Sequence, residues 1–97
     1  MKQVSDAKLD RYFDVTGRAL KKVRIGREKK IRWKDAASDF LDMAQRYYRD
    51  AQYFKEKGDH VTAFAALNYA HGWLDAGARL GLFDVGGDNK LFTVDDK

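Results

Sequence analysis

Between Asp59 and Phe83 the apolar positions recur with a helical period, and they fall into two seams that run side by side. One seam carries Ala63, Leu67, Ala70, Leu74, Gly77 and Gly81; the other carries Ala66, Tyr69, Trp73, Ala76 and Leu80. Two seams on one helix predict two neighbours, and the many Ala and Gly positions let neighbouring backbones come close. Upstream, Trp33, Ala37, Phe40, Ala44, Tyr47, Ala51 and Phe54 recur at intervals of four and three, bulky aromatics alternating with alanine. That stepped pattern predicts a helix over about 33–57 packed on the helix over about 59–83, with large positions facing small ones and Leu67 and Leu74 as knobs. A looser stripe of Leu9, Phe13, Thr16, Leu20 and Val23, widened by Tyr12 and Ala19, predicts a first helix over about 5–25. Ser5 is its expected N-cap, and Gly17 weakens it locally.

Punctuation between the periodic segments sets their connection. Lys57-Gly58-Asp59 places a glycine where a helix end needs left-handed backbone and an aspartate where the next helix needs a cap, and so short a link forces antiparallel neighbours. After Phe83 the run Asp84-Val85-Gly86-Gly87-Asp88-Asn89-Lys90 breaks the helix, leaving Leu91, Phe92 and Val94 either to fold back onto apolar surface or to fray. With no proline and no alternating strand pattern, the predicted fold is all-α: a three-helix antiparallel bundle with a short irregular C-terminal tail over 84–97. The third helix is its axle, held from both sides. Residues 1–97 are expected to form a single domain, because a core of this size split in two would leave marginal halves.

Composition narrows the function. The absence of cysteine excludes disulfide frameworks, thiol catalysis and Cys-type zinc sites. No apolar run nears the roughly 20 residues that cross a bilayer, and the start Met1-Lys2-Gln3-Val4-Ser5-Asp6 lacks a signal-type apolar region. A cytoplasmic protein without membrane contact is therefore expected.

Charge is uneven. Lys21, Lys22, Arg24, Arg27, Lys29, Lys30, Arg32 and Lys34 stand against Glu28 alone, whereas Asp84, Asp88, Asp95 and Asp96 make the tail acidic. A solvated helix end, favoured by the negative C-terminal dipole of the first helix, accounts for the basic run most simply. The alternative is nucleic-acid binding: the cations neutralise phosphates, and Trp33, between Arg32 and Lys34, stacks on a base if exposed.

A polar stripe of Asn68, His71, Asp75 and Arg79, spaced three, four and four, interrupts the apolar character of the third helix. Asp75 is spaced to pair with Arg79 and to orient the His71 imidazole, as an acid does for a catalytic base. No nucleophile or oxyanion donor accompanies it, so a structural hydrogen-bond network is the simpler account and no enzyme is expected; a small-ligand pocket or enzyme around His71 and Asp75 is a second alternative. Nor is a metal or cofactor expected. His71 and Asp75 facing Asp39 and Asp42 would lack the Glu-x-x-His pairs of di-iron bundles, and the tail acids break the calcium-loop pattern at its turn glycine. Gly86-Gly87 has no following Lys-Ser or Lys-Thr, no arginine precedes His60 or His71 at a ribonuclease-type spacing, and His60 reads as a solvent-facing first-turn residue. What remains is a non-enzymatic module that binds protein or associates with itself, through a face bearing Tyr48, Phe64 or the tail's Leu91 and Phe92.

The run Tyr47-Tyr48-Arg49-Asp50-Ala51-Gln52-Tyr53-Phe54-Lys55-Glu56-Lys57-Gly58-Asp59, followed by Ala63-Phe64-Ala65-Ala66-Leu67-Asn68-Tyr69-Ala70-His71-Gly72-Trp73-Leu74-Asp75-Ala76-Gly77 and Arg79-Leu80-Gly81, resembles an archaeal family catalogued as domain of unknown function family 357. The resemblance covers the second and third helices well and the first, with Tyr12-Phe13 and Thr16 before Ala19-Leu20, more loosely. It implies a compact three-helix bundle, a cytoplasmic archaeal setting and no established activity. The basic connection is not part of the resemblance.

Overall fold

A computed structural model of the chain describes residues 4–93. Val94, Asp95, Asp96 and the first three residues, on which the fold-back, tail-charge and leader expectations partly rest, lie outside the described residues. Three helices follow one another: α1 (Asp6–Lys22), α2 (Trp33–Glu56) and α3 (His60–Leu80), with no strand among the described residues. The all-α class and the three helices are as the sequence predicts.

Each helix is bounded by local chemistry. Ser5 accepts a hydrogen bond from the Lys8 N–H at 3.2 Å and so caps α1. That helix ends at Lys22, three residues short of the expected point. Val23 is already extended, and the chain stays free of helix as far as Arg32. Lys21, Lys22, Arg24 and Arg27 would crowd like charges onto adjacent turns, and no neighbouring helix packs there to offset the repulsion.

α2 and α3 end alike. Gly58 donates to the Lys55 carbonyl and Asp59 to that of Phe54, while Gly81 donates to Ala78 and Leu82 to Gly77. Each pair is a Schellman motif, and both glycines sit at φ +80°, a backbone region that other residues enter only with strain. Gly81 is thus a helix terminator, not the seam position the periodicity suggests, and α3 stops at Leu80 instead of Phe83.

The Asp59 cap carries a pH signature. Its Oδ2 accepts from the Thr62 hydroxyl at 2.7 Å and its Oδ1 from the Thr62 N–H at 3.0 Å, and these bonds hold the carboxyl below its ordinary value of 3.8. A carboxylate with a lowered folded-state pKa stabilises the fold above its unfolded pKa and loses that contribution as pH falls through the folded value. Asp59→Ala should therefore lower the Tm at neutral pH, and the gap to the native chain should close in acid below 3.8. Asp59→Asn, also a good cap, should retain most of the stability; circular dichroism melts at the two pH values decide it.

Packing is concentrated in the α2–α3 hairpin. The buried residues of the two helices are Ala44 and Ala51 on α2, and Ala63, Ala70 and Gly77 on α3, each set spaced by seven. Seven residues are two turns, so the small positions form one line down the contact and bring the two backbones together. Along one edge of that line Phe40 meets Trp73 edge-on at 4.9 Å and Tyr47 meets Tyr69 at 4.4 Å. Phe40 and Tyr47 of α2 thus pack on aromatics of α3, while Trp33 of the same seam reaches Gly81.

The axle picture needs correction at its second neighbour. α1 has no buried residue, and none of its Cα atoms comes within 8 Å of one in α2 or α3. Phe13 and Leu20 on its stripe are each 71% exposed. The radius of gyration, 16.0 Å, exceeds the roughly 12.5 Å of a compact chain of this length. α3 is gripped instead by the segment after it: Leu82 is buried, and the Phe83 ring lies where a Cβ on Gly77 would stand.

Candidate functional site

The seven-residue line of small side chains divides the hairpin into two edges. The aromatic pairs occupy one, where the buried Trp73 Nε1 has no hydrogen-bond partner among the described residues. The other edge is open. Two adjoining concavities of about 620 and 570 Å³ run along it and share Tyr48 and Leu67. Leu41, Ala44 and Tyr48 from α2 face Leu67, Ala70 and Leu74 from α3, and Phe64 extends the apolar floor toward the turn. Leu67, placed in the interhelical contact by its spacing, is 43% exposed here. Gln45, Arg49, Asn68 and His71 form the polar rim at one end, Lys55 and His60 at the other.

The polar stripe of α3 is divided between two tasks. Asn68 and His71 stand on the groove rim, whereas Asp75 turns to the C-terminal segment. Its Oδ1 accepts from the Thr93 N–H at 2.8 Å and its Oδ2 from the Thr93 hydroxyl at 3.2 Å, with His71 Nε2 3.6 Å from Oδ1. The Phe92 ring lies over His71 at 6.4 Å between centroids, 27° from parallel. Asp75 therefore works as a clasp for the chain end. Arg79, one turn further on, is exposed. What the sequence could not disclose is that Thr93, 18 residues away, supplies the donors that Asp75 uses.

Acids elsewhere are also engaged locally. Asp42 binds Arg46 at 2.9 Å, and Asp84 accepts from the Gly86 N–H at 3.0 Å. Asp88 accepts from the N–H groups of Leu91 and Lys90, both at 2.9 Å, which lowers its carboxyl pKa. Among the described residues no three His, Asp or Glu side chains converge as a metal site would require, and no helix is long and apolar enough to cross a membrane.

The basic residues follow one another along the chain, from the end of α1 to the start of α2. Lys21, Lys22, Arg24, Arg27, Lys29, Lys30, Arg32 and Lys34 are all exposed, most of them on the helix-free connection, and Arg32 Nε is 3.4 Å from Asp35. Trp33, at the junction with α2, is 57% exposed, so its indole is accessible beside the cations.

Sequence reasoning found Tyr48 and Phe64 as candidate exposed apolar positions but not the groove that joins them. Its signal was present: Leu41, Tyr48, Leu67 and Leu74 flank the small residues on the side opposite the aromatics.

No curated protein and no solved structure matches the chain. Residues 11–83 match the profile of one family, a span from the second turn of α1 to the Phe83 ring against Gly77, which takes in the whole hairpin and, beyond the resemblance read from the sequence, the basic connection as well. The chain therefore belongs to the family described as protein of unknown function (DUF357).

Proposed function

We propose that this protein is a non-enzymatic interaction module whose α2–α3 groove receives an amphipathic helix with an acidic flank. The observation that carries the reading is the groove itself: an apolar floor bounded by polar and basic groups, left uncovered although α1 belongs to the same chain. Helix-in-groove recognition needs this form, apolar anchors at three- and four-residue intervals entering a trough whose rim sets orientation by charge. Arg49, Lys55 and His60 provide such a rim.

A labelled peptide with the sequence of residues 5–24 should bind the full chain saturably. Leu67→Asp should weaken it about tenfold or more, the order expected when an apolar anchor loses its contact. Asp50→Asn, on the aromatic edge, should leave binding unchanged. Absence of saturable binding, or equal binding by the Leu67→Asp chain, sinks the reading.

The exposure of Trp33 beside the basic connection supports a second reading, sequence-blind binding of nucleic acid. Single-stranded RNA should then bind at low salt, release steeply as salt rises, and quench the Trp33 emission. No binding at low salt ends this reading.

A further inference from the structure

We infer that the helix received by the groove is α1 of a second copy of this chain, so that two copies exchange their α1 arms. The inference rests on the groove reading above and names its occupant. Three features carry it.

Length is the first. The groove follows α2 from Leu41 to Lys55, and the α1 stripe runs from Leu9 to Val23. At 1.5 Å rise per residue the groove is about 21 Å long and the part of the stripe inside α1, Leu9 to Leu20, about 17 Å, so the stripe fits within the groove. Stripe and groove are each apolar and exposed, and each lacks the partner that the other supplies.

The second is charge. Asp6, Asp10 and Asp14 recur every four residues along one margin of the α1 stripe, with Lys8 and Arg11 off that margin and Asp14 paired to Arg18 at 3.1 Å, and Lys21 and Lys22 stand at the C-terminal end. The groove rim has the opposite sign to that acidic margin. Lys55 and His60 stand at the turn end, and Arg49 lies further along the rim. An α1 laid antiparallel to α2 sets its acidic margin against Lys55 and Arg49; in the opposite direction Lys21 and Lys22 meet Lys55.

Third is the arm. Residues 23–32 carry no helix, begin in extended backbone at Val23 and end in extended backbone at Arg32. No Cα of α1 comes within 8 Å of one in its own hairpin. An extended hinge, a detached helix and an empty complementary seat are the parts of a reciprocal exchange, in which a two-fold pair fills both grooves at once.

The chain contains no cysteine, so single cysteines report the contact cleanly. Thr16→Cys on the α1 stripe and Gln52→Cys on the groove margin are made separately and mixed, and also combined in one chain, then treated with a short bismaleimide. Light scattering of the uncross-linked chain should give twice the 11.2 kDa mass, and the two single variants should cross-link to each other. Reversing Asp6 and Asp10 to Lys should weaken the dimer about tenfold, with recovery when the partner copy carries Arg49→Glu and Lys55→Glu. A monomeric mass with cross-linking only inside the doubly substituted chain overturns the inference, because α1 then covers its own groove. A dimer whose single variants never cross-link overturns it too, since another surface then joins the copies. In the first case the cross-link within one chain itself shows that the groove takes a helix; in the second the peptide titration above reports it separately.

Discussion

Gly77→Ala should destabilise the hairpin by about 1–3 kcal/mol, the range for forcing a group into filled space. On propensity alone the sign would be opposite, since alanine is better than glycine by about 1 kcal/mol inside a helix. The ring of Phe83 decides between them. It occupies the position that a Cβ on Gly77 would take, so the substitution must expel the ring. Phe83 in turn follows directly on the Schellman turn, held by the Leu82 N–H bond to the Gly77 carbonyl at 2.8 Å. In a Phe83→Ala chain the obstacle is gone, and Gly77→Ala should become neutral or stabilising by up to about 1 kcal/mol. Urea denaturation of the four chains of this cycle measures the change of sign. A stabilising Gly77→Ala in the native background would show that the ring does not sit on the helix.

Ala70→Leu should cost at least as much, again about 1–3 kcal/mol, while Ala76→Leu should stay within about 0.5 kcal/mol of the native chain. The two alanines lie six residues apart on α3, and each belongs to one of its apolar seams. Ala70 is 4% exposed on the seven-residue line that faces Ala44 and Ala51. Ala76 is exposed. A leucine at position 70 would push apart two helices whose contact consists of small side chains, whereas at position 76 it meets solvent. Equal costs at the two positions would mean that the hairpin contact does not run along the small residues.

Where the physics was local, the sequence was legible. Helical periodicity, the Ser5 and Asp59 caps and the left-handed Gly58 all depend on residues a few positions apart, and all appear where the sequence places them. The hairpin followed from the brevity of its link. Two things did not follow. Periodicity marks which side of α1 is apolar but not what covers it, and Leu9, Phe13 and Leu20 are exposed along an unpacked helix. The polar stripe had the same difficulty. The spacing of His71 and Asp75 was visible, yet the role of Asp75 depends on Thr93, brought back by turns at Gly86 and Gly87 whose φ values of +64° and +72° no periodicity encodes. Gly81 was misread for a related reason: a glycine on the apolar face fits a close helix contact as well as a helix stop, and only the backbone tells them apart.

The three-residue link between α2 and α3 also sets the order in which the chain assembles. The packed contact joins segments that are neighbours along the chain, so the loop-closure entropy is small and the hairpin can form early and quickly. α1 takes no part in that step. Under the exchange proposed above its destination is settled afterwards, and how many molecules share the solution then bears on the outcome as much as the fold does.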